Sequence, residues 1–476
     1  MKFLNIKNLS FIDTMQLIII SFILALAIYL SFIGGYGADE DTMAMIYVFE
    51  TKLASGSFVT SRFTGNPVAE IGIGFLAYNL GSWAANLVTF ALLFFGLLFF
   101  YFSFENKDKK ELLLFLLLCL SSPILFFDNL EPVDYSWAFF FYSVALFFLK
   151  NKLTELSILF FALAVGVRLN YFLFIVFTIL FFTNPEISLK KKLTIIFCIF
   201  FTGCLFYLPV WYDAKLSLTW LTAGRSYQSY EGLFGRFFYK SFYAFGGVSV
   251  FFIIYSYFKN YLSIIKDNNF YLFLFVLISN LLIFLWLPAE LSYLQLALII
   301  VYFILIKYSQ KKLIYLVLVL NFASWVVNPQ FIDIEYREMK NLCSPKQAVN
   351  IRTNFHLGIG YYFNYLETRK MINCFAPGNS QRNTRVRQGI KLSDDTNNEK
   401  PYWKIDGDEA KKRMKAFKKT KSNQTPAEKE LEEMKRILLI IQMTGQVSRV
   451  VKSPIDGKTT TWTVPMLEAK ISKLKE

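Results

Sequence analysis

Three short polar stretches carry carboxylates between long apolar runs: Gly37–Ala44 (GADEDTMA), Asp128–Tyr135 (DNLEPVDY) and Leu287–Tyr293 (LPAELSY). Asp39, Glu40 and Asp41 stand together in the first. A carboxylate within hydrogen-bond reach of a hydroxyl can take its proton as a bond forms. The same residues also suit a solvated turn or the N-cap of a following helix. Asp134 and Glu131 in the second stretch, and Glu290 in the third, are placed either to orient a substrate or cation or to be solvated loop residues. The cations that could answer them are Arg62, Arg168, Arg225 and Arg236. Arg makes paired, planar hydrogen bonds to phosphate that the point charge of Lys does not. Arg168 lies between two apolar runs, where a charge is costly unless it is paired or near water. A phosphate contact and a structural ion pair both meet that need. Tyr227, Tyr230, Tyr239 and Tyr243 surround Arg225 and Arg236 and could stack on sugar rings. Tyr is equally the ordinary residue of a membrane interface.

Other chemistries drop out. The chain has 1 His, His356, which removes His-clustered metal sites and Ser-His-Asp hydrolysis. A divalent cation held by the carboxylates stays open. No phosphate-binding glycine loop of the P-loop type occurs, which argues against ATP-driven transport.

The elements that must position these residues are membrane helices. Apolar residues make up 55% of the chain, with 53 Phe and 27 Tyr, more than a soluble core absorbs. A span needs roughly 20 apolar residues. About eleven runs qualify, some of them short: 15–33, 83–104, 112–127, 136–149, 154–167, 169–183, 193–211, 243–258, 270–287, 291–306 and 312–327. The first run has no small-residue cleavage site and reads as a retained span. With the N-terminus in the cytoplasm, 15 Lys fall on inner segments (Lys2 and Lys7, then clusters at 107–110, 150–152, 190–192, 259–266 and 307–312), and all three acidic stretches fall outside. The four Arg of residues 1–328 fall outside as well. Residues 68–82 are Gly-interrupted, and crossing there would put the 107–110 Lys outside. They read as lying along the outer interface.

The expected fold is therefore an all-α polytopic membrane protein of about eleven transmembrane helices, with a C-terminal soluble α+β extracytoplasmic region. Its domains are residues 1–328 in the membrane, 329–400 as a small extracytoplasmic unit and 401–476 as a basic helical extension. Cys119, Cys198 and Cys204 lie in apolar runs. Cys343 and Cys374 face the oxidising side and form a candidate disulfide, with two free thiols as the alternative. In the extension, Thr425 with Glu428 makes a capping-box pattern and Asp456-Gly457 signals a hairpin turn. The basic run at 408–421 reads as a solvated face or as a contact for anionic lipid or glycan. The net charge of +15 comes largely from the inner loops and this tail, and is no argument for nucleic acid.

The outer loops resemble those of the C-type (GT-C) glycosyltransferase superfamily. Aminoarabinose transferases and protein O-mannosyltransferases are similar in the first loop, at Asp39, Glu40, Ala44, Ile46, Gly56, Phe58, Phe63, Gly65 and Pro67. Met43 stands where those enzymes carry Tyr, and Tyr47 where they carry a second Ala. Ser122-Pro123 before Asp128–Asp134 looks like their second outer loop, Gly166-Val-Arg168-Leu-Asn170 like their Gly-x-Arg turn, and Pro288-Ala-Glu290-Leu-Ser-Tyr293 like a late acidic loop. The resemblance spans roughly residues 10–330. It implies an integral enzyme of the bacterial inner membrane, with a cytoplasmic N-terminus and an extracytoplasmic C-terminal domain. That enzyme takes a sugar from a polyprenyl-phosphate donor to a glycan, lipid or protein acceptor, with inversion. Asp39 becomes the base, supported by Glu40 and Asp41. Arg62, Asp134, Arg168, Arg225, Arg236 and Glu290 become donor and substrate contacts. The rival classes are a flippase for a lipid-linked sugar and a non-catalytic membrane scaffold. Transporters place polar residues at mid-membrane on broken helices, whereas here the runs are nearly free of charge.

Overall fold

The computed structural model describes residues 10–33, 35–36, 42, 45, 49, 65–104, 109–183, 187–213, 230–286, 288, 291–330, 333–336, 349–352, 356–368, 434, 448–452 and 459–473. It is mostly helical. In chain order the helices of the first part are α1 (Phe11–Ile33), α2 (Pro67–Leu80), α3 (Ser82–Ser103), α4 (Lys109–Ser121), α5 (Pro123–Phe127), α6 (Asp134–Lys150), α7 (Thr154–Val167), α8 (Tyr171–Phe181) and α9 (Leu189–Phe206). They continue as α10 (Leu208–Asp213), α11 (Tyr230–Ala244), α12 (Ser249–Lys259), α13 (Tyr261–Ile264), α14 (Phe270–Trp286), α15 (Gln295–Tyr308) and α16 (Lys311–Val326). Short 3-10 turns occupy Asp128–Leu130 and Leu291–Leu294.

Three of the described helices are long and apolar enough to cross a membrane: Phe11–Ile33, Ser82–Ser103 and Leu291–Tyr308. Counting two bent pairs as one span each brings the number to 5. Both bends fall inside runs that hydropathy alone reads as continuous. In the 112–127 run, α4 stops at Ser121 and α5 leaves at 80°. Pro123 is the cause, since it lacks an N–H and pushes Ser122 out of the α region to φ −65°, ψ 123°. In the 243–258 run, the break lies at Gly246 and Gly247, with φ of 84° and 58°. The Gly247 N–H bonds the Phe242 carbonyl and the Gly246 N–H bonds the Tyr243 carbonyl, the pattern of a left-handed helix end. The pair then turns by 84°. The 14 residues of α7 and 11 of α8 are also short for a span.

The two breaks share one buried polar node. Asn321 of α16 donates to the Ser121 hydroxyl at 3.3 Å and the Tyr302 hydroxyl at 3.1 Å, while its Oδ1 accepts from the Ser249 hydroxyl. Trp325 Nε1 donates to the Ser121 carbonyl at 2.7 Å. Backbone groups freed by breaking a helix need such partners in an apolar interior. At the node, Phe126 stacks on Trp325, and Phe127 and Phe322 meet it edge to face.

Helix α2 packs across the ends of its neighbours. Gly72 lies against Trp137 at the start of α6, Val68 lies against Gly166 at the end of α7, and Tyr36 beyond α1 donates to the Ala77 carbonyl at 3.1 Å. The Lys-bearing helix ends gather at the other end of the same bundle. Lys150 at the end of α6 donates to the Phe102 carbonyl of α3, Lys192 at the start of α9 to the Leu180 carbonyl of α8, and Lys110 pairs with Asp13 at 3.7 Å. The helix Tyr361–Thr368 (α17) belongs to this compact unit, with Tyr365 packed on Phe127. The second compact unit comprises residues 329–358, 372–379 and 398–476. Asp333–Tyr336 pairs antiparallel with Val349–Arg352 within it. Ser448–Lys452 pairs antiparallel with Thr459–Thr463 around the expected Asp456-Gly457 turn, which itself lies outside the described residues. A last helix, α18, covers Val464–Lys473.

Candidate functional site

The site grows from the α6–α7 hairpin. Asp134 is the first residue of α6, and Arg168 caps the end of α7. Antiparallel packing of the two helices brings these residues together from 34 positions apart. Arg168 Nη1 donates to Asp134 Oδ1 at 2.8 Å and to Oδ2 at 2.9 Å. Both are buried, Asp134 at 1% and Arg168 at 6% exposure. The carboxylate also sits at a helix start, where the backbone N–H groups favour negative charge. The guanidinium lies 3.8 Å from the ring centre of Tyr135 and 4.7 Å from that of Tyr293. The two rings meet edge to face, 5.4 Å apart. Of the two roles the sequence allowed Arg168, the ion pair is present, and the side chain is fixed by it.

Residues from 128–135, 166–170 and 291–293 converge here. Tyr293 comes from the late loop, and in the same loop Ser292 donates to Asp128 Oδ2 of the second stretch at 2.6 Å. Gly166, two residues before Arg168, leaves no room for a side chain: an added Cβ would stand 2.7 Å from Val68 and 2.9 Å from Phe206. That close approach brings the start of α2, with Glu70, and the end of α9, with Tyr207, to the Arg168 turn. Tyr207 is in electrostatic reach of Arg168, Glu70 and Asp134, and donates to the Val165 carbonyl at 2.9 Å. Tyr171, the first residue of α8, packs on Tyr142, whose hydroxyl shares a hydrogen bond with Thr178 at 2.7 Å.

Glu70 was not singled out in the sequence, although an acid within the apolar stretch Val68–Gly74 was the available signal. It is fully buried, and its Oε1 accepts from the Asn66 N–H at 3.2 Å. Tyr293 belongs to the late-loop motif, whereas Tyr171 and Tyr207 were not singled out, because Tyr is common at any membrane interface. Among the described residues no three His, Cys, Asp or Glu side chains cluster as a metal site would require.

Asp39, Glu40, Asp41, Arg62, Arg225, Glu290, Cys343 and Cys374 lie outside the described residues. Arg236 lies in α11. Cys119, Cys198 and Cys204 are free thiols. The arrangement holds a buried, neutralised ion pair under an aromatic cover at the end of the bundle opposite the Lys-bearing helix ends. In comparisons with known proteins, no family model, curated protein or solved structure matches the chain, so the resemblance to the C-type glycosyltransferases rests on its quoted residues alone.

Proposed function

We propose that the chain is a membrane glycosyltransferase of the C type, with about eleven crossings, acting at the extracytoplasmic face of a bacterial inner membrane. The observation that carries this reading is the convergence of residues 128–135, 166–170 and 291–293 on the Asp134–Arg168 pair, away from the Lys-rich helix ends. A site of this kind lies where a lipid-linked donor presents its phosphate. The acceptor hydroxyl oxygen attacks the anomeric carbon, and the bond from that carbon to the donor phosphate oxygen breaks. Asp39 takes the hydroxyl proton, and the polyprenyl phosphate leaves with the bonding electron pair. General-base help of this sort contributes about 10²–10⁴ in rate. Charge growing on the leaving phosphate needs cations aimed at it, a role for Arg62, Arg225 and Arg236. Asp134 and Arg168 hold their part of the site in place, and Glu40, Asp41 and Glu290 are assigned to supporting the base and contacting the substrate. A divalent cation, where the reaction uses one, would be held by these carboxylates and would offset charge on the donor phosphate. The test is transfer by the purified protein from polyprenyl-phosphate sugars to glycan, lipid or protein acceptors.

The two bent helix pairs favour a second reading, a flippase for a lipid-linked sugar, since transporters build their sites on broken helices. Saturable translocation of a lipid-sugar in vesicles, with no transfer from any donor, would select it.

A further inference from the structure

We propose that the cavity between the end of α12 and the start of α16 binds the phosphate headgroup of an anionic membrane lipid. The cavity measures about 220 Å³, and Ser256, Lys259, Asn260, Gln310 and Lys312 supply its polar lining. That volume is below the roughly 300–1,000 Å³ of whole small-molecule sites, and it suits a headgroup fragment. Among the described residues no acidic side chain lines it. The acid nearest in sequence to Lys259, Asp267, is already engaged by Lys307 and Tyr308.

The donors suit a phosphate. Lys259 lies 5.9 Å from the ring centre of Tyr255, which also lines the cavity, and so sits against an aromatic wall. Gln310 caps α16 without a side-chain hydrogen bond, and its carbonyl takes the N–H groups of Leu313 and Ile314. Gln310 marks the start of α16, and the positive end of that helix's dipole adds to the two ammonium groups.

The neighbouring surface suits acyl chains. Phe251, Ile254 and Phe258 lie on one face of α12 and are exposed, Phe258 at 80%. Leu316 and Val319 are exposed on α16. Leu316 itself lines the cavity, and the exposed α12 residues lie on the helix whose last turn borders it. Basic pockets between helices at the Lys-rich face of a membrane protein bind anionic headgroups for this reason. The site is separate from the Asp134–Arg168 cluster and does not depend on the transferase reading.

The test uses the purified full chain in detergent. Native mass spectrometry and thermal unfolding are followed while phosphatidylglycerol, phosphatidylcholine or inorganic phosphate is added. Phosphatidylglycerol is expected to stay bound and to raise the unfolding temperature, and the other two are not. Replacing both Lys259→Gln and Lys312→Gln should weaken phosphatidylglycerol binding about tenfold or more. Lys259→Arg with Lys312→Arg should keep it, as should Lys190→Gln with Lys191→Gln, which removes the same charge elsewhere. Equal binding of phosphatidylcholine, undiminished binding after the first double substitution, or equal loss in the Lys190/Lys191 control would overturn the site. Stabilisation by inorganic phosphate equal to that by phosphatidylglycerol would overturn its assignment to lipid.

Discussion

At the residue scale, the Asp134–Arg168 pair is the element on which a single substitution acts most strongly. Both partners are buried, so removing one takes the ion-pair partner from a buried charge. Breaking such a pair costs about 3–5 kcal/mol. Arg168→Ala should therefore reduce folded protein in denaturation assays in mild detergent, and Asp134→Ala should do the same. The double substitution should be less harmful than the two single costs combined, because they share one interaction. Both charges were legible as residues out of place between apolar runs. Which role Arg168 takes was not, because a lone Arg in such a position satisfies itself equally with a carboxylate or a phosphate. Glu70 escaped for a related reason: its neighbours look like interface, and only the fold brings it to the Arg168 turn. A second residue-scale outcome concerns Asp267. Burial alone would raise its carboxyl, but hydrogen bonds from Lys307, Tyr308 and the Asn269 amide hold it below the ordinary Asp value. A lowered folded value means stability that is complete above the unfolded value near ~3.9 and lost as pH falls through the folded value. Thermal unfolding between neutral and strongly acidic pH should show this loss, and Asp267→Asn should remove that part of it.

At the element scale, the bends at Ser122-Pro123 and Gly246-Gly247 decide the architecture. Their breaker residues were visible, but hydropathy averages across them and returns two straight runs. Helix α8 shows the same limit: its run is apolar throughout, yet 11 residues at about 1.5 Å each reach only about half of the ~30 Å hydrocarbon core. Gly246 has φ 84°, and an added Cβ would lie 2.9 Å from Asn321 Oδ1. Gly246→Ala should destabilise the protein by about 1–3 kcal/mol, the usual cost of a left-handed residue with a side chain. Gly235→Ala, where no described residue lies within contact, is the control in α11. Equal stability of the two variants would mean that the bend does not depend on Gly246.

At the scale of the whole molecule, the charge pattern anticipated a membrane protein whose Lys and acidic stretches separate. Within the α6–α7 hairpin, Lys150 lies at one end and Asp134 and Arg168 at the other. The aromatic surround of the site was not legible, because it comes from loops more than a hundred residues apart. Single cysteines placed at 109 and at 131 should react with an impermeant reagent from opposite sides of the membrane. The central claim is transfer chemistry by an acidic residue of the first outer loop. It is tested most directly by comparing wild type with Asp39→Asn in purified, folded form, supplied with polyprenyl-phosphate sugars. The account predicts transfer by the wild type and a fall of at least ~10²-fold in the variant. Full activity in Asp39→Asn would contradict it.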